Sequence, residues 1–355
     1  MEPHRPGTPA RRRRPAAPIV LVVCGPGDEH ALAVALHLAE LGVRAVPLNL
    51  ARLPEAGFSA ALGVGQPGRF LVGTAEGPME PAACAAVWWR RPGAVEPAGP
   101  GAGERRLSDG EWTHAIGGLA RAAGGFWVND PHAEEAARRK LVQLEAARHA
   151  GLTVPRTLVT NDVEAARAFV RSCRRGAVVK SLSSLREGGH TRRLSADDPQ
   201  LAERLRVGPA ILQERVDGLD LRVAAVGGKL FAMSLDARAG GDPDDVRVDW
   251  DRVSVTARPV RLPAPVARAI RALQRRLGLT FGAIDLRLRR GGEHVFLEVN
   301  PSGQWLHQEA ATGQPIAVTL ARLLAAGAPG AARPRAPRLT RAAPSAGSTS
   351  RARSR

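Results

Sequence analysis

The sequence has little cysteine, no long apolar run and almost no lysine. Its three cysteines, Cys24, Cys84 and Cys173, are widely spaced among 355 residues, which excludes a disulfide framework or a metal-binding cysteine cluster and indicates a reducing compartment. No apolar stretch approaches the roughly 20 residues of a membrane span, and the apolar run at 19–24 is too short for a signal peptide. We therefore expect a cytoplasmic protein that has no membrane partner.

Lysine occurs at only three of the 51 basic positions. A compact ammonium suits contact with a phosphate, so each lysine is a candidate ligand. Lys180 ends an apolar strand and precedes a Ser/Gly loop whose backbone N–H groups could hold phosphate, although such loops are frequent. Lys140 is on a predicted helix, where a surface position is the default. Lys229 follows a predicted turn, and we expect it to be exposed.

The net charge of +17 comes mostly from the two ends of the chain. Residues 1–17 and 328–355 supply +11 of it and are rich in Ala, Pro, Gly, Ser and Arg, so both are predicted to be disordered tails. The Arg11–Arg14 run could contact nucleic acid or an acidic peptide. A solvated tail is the favoured interpretation, and nucleic acid is not expected as a partner.

The N-terminal part begins with a β-α-β pattern, which predicts a parallel sheet. Residues 94–108 are rich in Pro and Gly and predict a loop or linker. At Asn129-Asp130-Pro131 a new helix is expected, because Asp is a good N-cap and Pro suits the first helical position. That helix is predicted to reach about His149 and to carry Lys140.

Two hairpins are predicted further along the chain, with turns at Gly227-Gly228 and Gly291-Gly292. A two-residue loop at 291–292 would place Asp285 directly opposite Glu298. It would also put Leu297 on the other, apolar face.

The two carboxylates of the second hairpin, with Asn300 on the same face, form a set of oxygen ligands that suits Mg²⁺. Directly opposed like charges are destabilising unless a cation lies between them. The competing interpretation is a solvent-facing surface on which Arg287 and Arg289 neutralise the acids. The hairpin alone leaves both interpretations open.

Taken in chain order, these features resemble the ATP-grasp superfamily over about residues 129–327. The motifs that carry the likeness are K…VVK-SLSS…QERV…DLR…IDLRL…FLEVNPSGQW. The implied fold is α/β and α+β: an N-terminal parallel-sheet pre-ATP-grasp domain followed by a two-lobed ATP-grasp fold. The expected divisions are a basic tail (1–17), the N-terminal domain (18–125), the small lobe with its linking helix (126–208), the C-terminal lobe (209–327) and a second tail (328–355).

The resemblance implies ATP and Mg²⁺ as cofactors and assigns residues to each. The strand around Gln213, expected at a sheet edge, would offer its backbone to the adenine. The implied contacts are Lys140, Lys180, Ser183 and Ser184 to phosphate; Gln213, Glu214 and Val216 to adenine; Asp220 to ribose; and Asp285, Glu298 and Asn300 to Mg²⁺. Arg222, Arg238 and Arg252 are candidates to hold an acyl phosphate, with surface salt bridges as the competing explanation. Trp250 and Trp305 could pack against a peptide or be structural.

Within the superfamily the chain is similar in particular to the microviridin-type, or graspetide, ligases that cross-link ribosomally made peptides. The VWWRRP strand, the NDP junction and FLEVNPSGQW carry this likeness, and His307 departs from the apolar run usual there. The likeness implies a precursor-peptide partner, whose Asp or Glu side chains are activated as acyl phosphates and joined to Ser, Thr or Lys; a homo-oligomer is left open. The alternatives are an amino-acid ligase of the glutamate-adding type and a non-catalytic nucleotide- or RNA-binding protein.

Overall fold

The structure is a computed structural model that describes residues 17–64, 66–96, 98–183, 191–236 and 256–327, with the side chains of residues 66 and 67 left out. Several predicted features lie outside the described residues: Ser184, Arg238, Trp250, Arg252 and nearly all of both tails. No helix in the described part of the chain is long and apolar enough to cross a membrane. The domain boundaries given above stay predictions.

The N-terminal part contains the expected parallel sheet, in the order β2-β1-β6-β7. A small antiparallel sheet, β3-β4-β5, is attached to it. The elements are β1 (Ile19–Cys24), α1 (Glu29–Glu40), β2 (Arg44–Leu48), α2 (Leu53–Ala56), β3 (Phe58–Gly63), β4 (Gln66–Thr74), β5 (Gly77–Met79), β6 (Ala86–Arg91), α3 (Ala102–Ala122) and β7 (Trp127–Val128), with short 3₁₀ turns at Leu50–Arg52 and Pro81–Ala83.

The loop predicted for residues 94–108 is wrong in its second half, because α3 begins at Ala102. The helix contains four glycines, each of which lowers helix propensity by about 1 kcal/mol relative to Ala. Tertiary packing compensates: Trp112, Ile116 and Leu119 recur at helical spacing and pack in the core beneath the parallel sheet.

The middle part is an antiparallel sheet in the order β10-β9-β11-β8, covered by two helices. The predicted single helix from Pro131 to about His149 is wrong: it breaks at Arg138 and Arg139, so Lys140 is the first residue of a new helix. The elements are α4 (Pro131–Ala137), α5 (Lys140–His149), β8 (Thr157–Thr160), α6 (Val163–Ser172), β9 (Ala177–Lys180), β10 (Arg192–Leu194), α7 (Leu201–Val207) and β11 (Ala210–Glu214).

The C-terminal part is an antiparallel five-stranded sheet in the order β14-β13-β12-β15-β16. The predicted turn at Gly227-Gly228 is confirmed, with φ of 54° and 83°, the left-handed pair that a two-residue hairpin loop requires. The elements are β12 (Leu219–Val226), β13 (Lys229–Asp236), β14 (Thr256–Val260), α8 (Ala264–Leu277), β15 (Phe281–Leu288), β16 (His294–Asn300), α9 (Leu306–Thr312) and α10 (Ile316–Ala326).

The hairpin that joins β15 to β16 has a longer loop than predicted. Arg289 N donates to Glu293 O at 2.9 Å and Gly292 N to Arg289 O at 2.9 Å, so the loop is 290–292 with Gly292 at φ 85°. This is a type I turn followed by a left-handed residue.

A bulge at Leu297 then restores the expected pairing of Asp285 with Glu298. The bulge also reverses the predicted placement of Leu297. Phe296 is fully buried in the core, whereas Leu297 is only half-buried and lies on the opposite side.

The N-terminal and C-terminal sheets share one hydrophobic core. Trp88 of β6 packs with Ala224 of β12, Phe281 of β15 and Leu320 of α10. A second core lies on the other face of the five-stranded sheet, beneath α5 and α8. This sheet is therefore covered on one face along its length. Within the described residues its opposite face, which we call the open face, packs at one end against the N-terminal domain.

Candidate active site

The open face of the five-stranded sheet carries a row of charged side chains across three strands. Arg222 of β12 pairs in register with Asp285 of β15, which pairs with Glu298 of β16. Side chains in register point to the same face of a sheet. Arg222 Nη1 forms an ion pair with Asp285 Oδ2. The two predicted carboxylates are thus adjacent, as the sequence indicates.

Lys140 completes this row from the adjoining helix. Its Nζ lies 3.8 Å from Glu298 Oε2, because the break before α5 places Lys140 at the helix N-terminus, next to β16. The side chains of Lys140 and Glu298 are only 15% and 25% exposed. Lys140 is therefore not the solvated surface residue that its predicted mid-helix position would give.

Arg287 and Arg289 were expected to neutralise Asp285 and Glu298 if this face of the hairpin were a solvent-facing surface. In the structure both arginines pair with other acidic residues. Arg287 is buried against Asp220, and Arg289 pairs with Glu293 at the hairpin turn. Among the described residues, Arg222 pairs with Asp285 and Lys140 with Glu298.

A cavity of about 480 Å³, which we call the acid cavity, opens above this row. It brings together Arg222, Asp285, Glu298 and Asn300 from the predicted set. His307 and Gln304 close its other side together with Arg91 of β6. Burial and the nearby Arg222 lower the pKa of His307 below its usual value, so this ring is neutral at pH 7. A volume of this size is in the usual range for small-molecule sites.

Two buried amide side chains that the sequence analysis missed hold the strands of the site in place. Gln143 of α5 exchanges hydrogen bonds with both backbone groups of Val299, at 2.9 and 3.0 Å, between Glu298 and Asn300. Asn129 accepts from the backbone N–H groups of Thr280 and Phe281 at 2.8 Å and donates to Phe281 O and to Pro301 O. The only sequence signal for Asn129 is the NDP junction.

The turn after β16 is held by charged residues of the N-terminal domain and α4. Arg90, 2% exposed, donates to Ser302 O at 2.6 Å and Gly303 O at 3.0 Å, and Arg91 donates to Ser302 O at 3.2 Å. The buried Glu134 accepts from the hydroxyl of Ser302 and from Arg138. Burial lowers the pKa of Arg90 to about 10, so it stays charged at neutral pH.

Trp305 has a structural position, which is one of the two roles predicted for it; the other was packing against a peptide. It is 1% exposed and packs edge-on against His30, with ring centroids 5.0 Å apart. His30 Nε2 accepts from the backbone N–H groups of Trp305 and Leu306 at 3.0 and 3.3 Å. Burial and the neighbouring Arg90 lower the pKa of His30 to about 4, so the ring is neutral and available as an acceptor.

The predicted adenine-contacting strand is not an edge strand. β11 lies between β8 and β9 and pairs with both. It ends at Glu214, after which Val216 O accepts from Arg287 at 3.1 Å. Gln213, Glu214 and Val216 do line a common cleft, together with Val178, Arg287 and Leu297.

The cleft is narrow, about 30 Å³, so a purine would require the middle and C-terminal sheets to separate. Lys180 lies two residues beyond Val178 on β9, and residues two apart on a strand share a face. It therefore belongs to the cleft side of this sheet. Ser183 is exposed in the loop that follows, where Ser181 Oγ and Ser183 Oγ are 3.1 Å apart.

Asp220, the residue assigned to ribose, is not among the residues that line the cleft. It is 8% exposed and forms a buried ion pair with Arg287, whose Nε lies 2.7 Å from its Oδ1. Arg287 itself lines the cleft. The ribose role of Asp220 stays a prediction, and the structure adds a second role, which is to fix Arg287.

The donor set of the acid cavity fits Mg²⁺ in its chemistry. The described residues contain no cluster of three His, Cys, Asp or Glu side chains, so the set consists of two carboxylates and the amide of Asn300. Oxygen donors of this kind, in small number, suit a cation that keeps waters and bridges phosphates. Arg222 sits against Asp285, so a metal ion there would take over part of its role.

No family model matches the sequence, and no curated protein matches it either. Solved structures do match. The macrocyclase MdnC bound with precursor peptide MdnA, from Microcystis aeruginosa MRC, is 26% identical with a TM-score of 0.73 over 86% of this chain and 98% of that one. The macrocyclase MdnB from the same organism is 27% identical with a TM-score of 0.72 over 86% and 99%.

The ATP-grasp ligase PsnB, in complex with a phosphomimetic variant of its minimal precursor, Mg and ADP, is 25% identical. Its TM-score is 0.70, over 87% of this chain and 97% of that one. The predicted fold and the resemblance to ATP-grasp ligases of ribosomally made peptides are thereby confirmed. The individual site assignments stay predictions.

Proposed function

We propose that this chain, which has the ATP-grasp fold of the peptide ligases, activates Asp or Glu side chains of a ribosomally made precursor peptide. The carboxylate would attack the γ-phosphate of ATP to give an acyl phosphate and ADP, and a Ser or Thr hydroxyl or a Lys amine would then displace phosphate. The product is an ester or amide cross-link. The observation that carries the proposal is the row of Arg222, Asp285 and Glu298, which lines the acid cavity. Lys140 lies beside this row, against Glu298.

The chain's residues act chiefly by position and charge. Asp285, Glu298 and Asn300 would hold Mg²⁺, which when bound neutralises and orients phosphate oxygens. Lys140 of α5 and Lys180 of β9 would contact the phosphates and offset their negative charge. Arg222 is the described candidate to hold the acyl phosphate, because it lines the acid cavity and already contacts a site carboxylate.

On the nucleotide side, the cleft residues Gln213, Glu214 and Val216 would contact the adenine. Their support is that all three line one cleft between the middle and C-terminal sheets. Leu297 is added to this set, because the bulge in β16 turns its side chain toward the cleft and away from the core. It supplies an apolar surface on which a purine ring can pack.

The test is co-expression of the full chain with a candidate precursor peptide that carries Thr or Ser and Asp or Glu side chains, followed by mass spectrometry. One water mass should be lost per link, and purified protein should release ADP only when peptide is present. Glu298→Gln should abolish both. Glu293→Gln is the matched control, since this glutamate belongs to the same hairpin but pairs with Arg289 outside the acid cavity.

Each other outcome has a definite meaning. A gain of an amino-acid mass would indicate the glutamate-adding alternative. Normal ADP release by Glu298→Gln would overturn the metal assignment. The absence of any ATP-dependent mass change on the cognate peptide would refute ligation, and the non-catalytic alternative would then stand.

A further inference from the structure

A second cavity, of about 720 Å³, lies on the N-terminal side of the acid cavity. We call it the tryptophan cavity. It is formed between the end of β6, helix α3 and helix α4, and it shares two lining residues, Arg91 and Asn300, with the acid cavity. The two spaces are therefore neighbours.

The walls of this second cavity are unusual for the chain. Only 4% of its residues are aromatic and none is tyrosine, yet two of its six tryptophans, Trp89 and Trp112, line this one space and are only half-buried. Ile116, one turn after Trp112 on α3, extends the apolar wall. Aromatic residues that are left half-buried around a concavity are typical of recognition sites.

The fold itself leaves these tryptophans partly uncovered. Trp88 and Arg90 of β6 point inward and are 2% exposed, so the alternating Trp89 and Arg91 project from the opposite face. Trp89 packs on Trp127, with ring centroids 6.1 Å apart, and stays half-buried. The cavity therefore has rigid aromatic walls supported by the core beneath them.

Polar residues also line this cavity. Helices α3 and α4 contribute Asp109, Thr113, His132 and Glu135, and Arg138 follows α4, so the lining includes charges of both signs. A surface of mixed sign does not select a polyanion such as nucleic acid, which requires clustered cations. A lining that combines aromatic and aliphatic side chains with charges of both signs fits a peptide chain carrying one large apolar side chain.

We infer that the tryptophan cavity is a specificity subsite for the peptide substrate, which receives an aromatic or large aliphatic side chain adjacent to the residue activated in the acid cavity. This inference rests on the proposed function for the identity of the reacting residue. Because Arg91 and Asn300 border both spaces, a peptide whose reacting carboxylate lies in the acid cavity can extend past these two residues into the tryptophan cavity. The subsite selects which Asp or Glu of a peptide is modified.

The test uses two fluorescein-labelled synthetic peptides, each containing Thr and Glu and differing only in Phe or Ser directly beside the Glu. Binding to the full chain is followed by fluorescence anisotropy in the presence of Mg²⁺ and ADP. We expect the Phe peptide to bind roughly tenfold more tightly, the discrimination that an apolar pocket of this kind provides. Trp112→Ala should remove the difference.

Two further variants show whether a loss of preference in Trp112→Ala comes from the cavity or from a folding defect. Thr113→Arg places a long side chain into the same cavity from an exposed position, and should also remove the preference for Phe. Leu107→Ala is the matched control, because Leu107 is on the same helix and 65% exposed outside the cavity. It should keep the preference.

Equal binding of the two peptides by the unaltered chain, or binding of neither, would overturn the subsite. So would a preference that survives both Trp112→Ala and Thr113→Arg. ADP release is measured separately: release without discrimination between the peptides would refute the subsite alone. Discrimination in binding without any ADP release would refute the proposed ligase activity and leave the subsite in place.

Discussion

Replacing Gln143 by Leu tests whether a side chain outside the acid cavity holds its strand in position. Gln143 is 4% exposed. Its amide forms hydrogen bonds with one residue of the edge strand β16, in the way that a neighbouring strand would. Its Nε2 donates to Val299 O at 2.9 Å and Ala137 O at 2.6 Å, and its Oε1 accepts from Val299 N at 3.0 Å. Leu has a similar volume, so the change removes hydrogen bonds without opening a large cavity.

The expected magnitude follows from these three bonds. Each contributes about 1 kcal/mol net, and a buried group left without its partner costs about 1–3 kcal/mol. We therefore expect the free energy of unfolding to fall by about 3 kcal/mol. With an unfolding entropy of about 2.1 cal/mol/K per residue, that loss lowers Tm by about 4 °C in a chain of 355 residues. Because Val299 lies between Glu298 and Asn300, the affinity for Mg²⁺·ADP should fall as well.

The measurement is urea-induced unfolding with and without Mg²⁺·ADP, in which bound ligand raises the apparent stability. Gln200→Leu is the control, because Gln200 is exposed and such a change is usually worth less than about 0.5 kcal/mol. A loss below about 0.5 kcal/mol for Gln143→Leu would refute the reasoning. A normal ligand-induced increase in a destabilised variant would show that Gln143 stabilises the strand without positioning the ligands.

Two further predictions concern buried charge. Burial lowers the pKa of His30 to about 4 in the folded chain, whereas its pKa in the unfolded chain is about 6.5. The neutral ring therefore contributes its full stabilisation above pH 6.5. As the pH falls from 6.5 toward 4, the unfolded chain takes up a proton that the folded chain does not, and the free energy of unfolding decreases by about 3 kcal/mol. The stability difference between the original chain and His30→Gln should therefore change by that amount between pH 7 and 4, and parallel pH profiles would contradict this. Arg287→Met leaves the buried Asp220 without its partner and should cost about 3–5 kcal/mol. In urea unfolding the double variant with Asp220→Asn should lose less than the two single changes added together; simple additivity would contradict the pair.

The sequence specified the local elements of the site and most of its strands. Alternating apolar residues and the glycine pairs predicted the hairpin of β15 and β16, and the opposition of Asp285 and Glu298 followed from it. That pairing holds for a reason the sequence did not reveal. A three-residue loop shifts the register by one residue, and the bulge at Leu297 shifts it back.

Errors occurred where tertiary packing overrides local preference. Helix α3 was not predicted because its sequence contains four glycines. It is stabilised by the core against which Trp112 and Ile116 pack. The helical pattern of the sequence is continuous, so it did not predict the interruption at Arg138 and Arg139. This break brings Lys140 close to Glu298. β11 reads as an edge strand in sequence, but strands distant in the chain pair with it on both sides.

The sequence by itself determined the fold family, the parallel N-terminal sheet and the acidic pair, because motif order and strand periodicity are local properties of the chain. Only the tertiary structure decided which cation meets which carboxylate. Arg222, Arg287 and Arg289 look alike in sequence, yet they pair with Asp285, Asp220 and Glu293 respectively. Long-range strand pairing and burial choose these partners, and they likewise place two tryptophans beside the candidate active site.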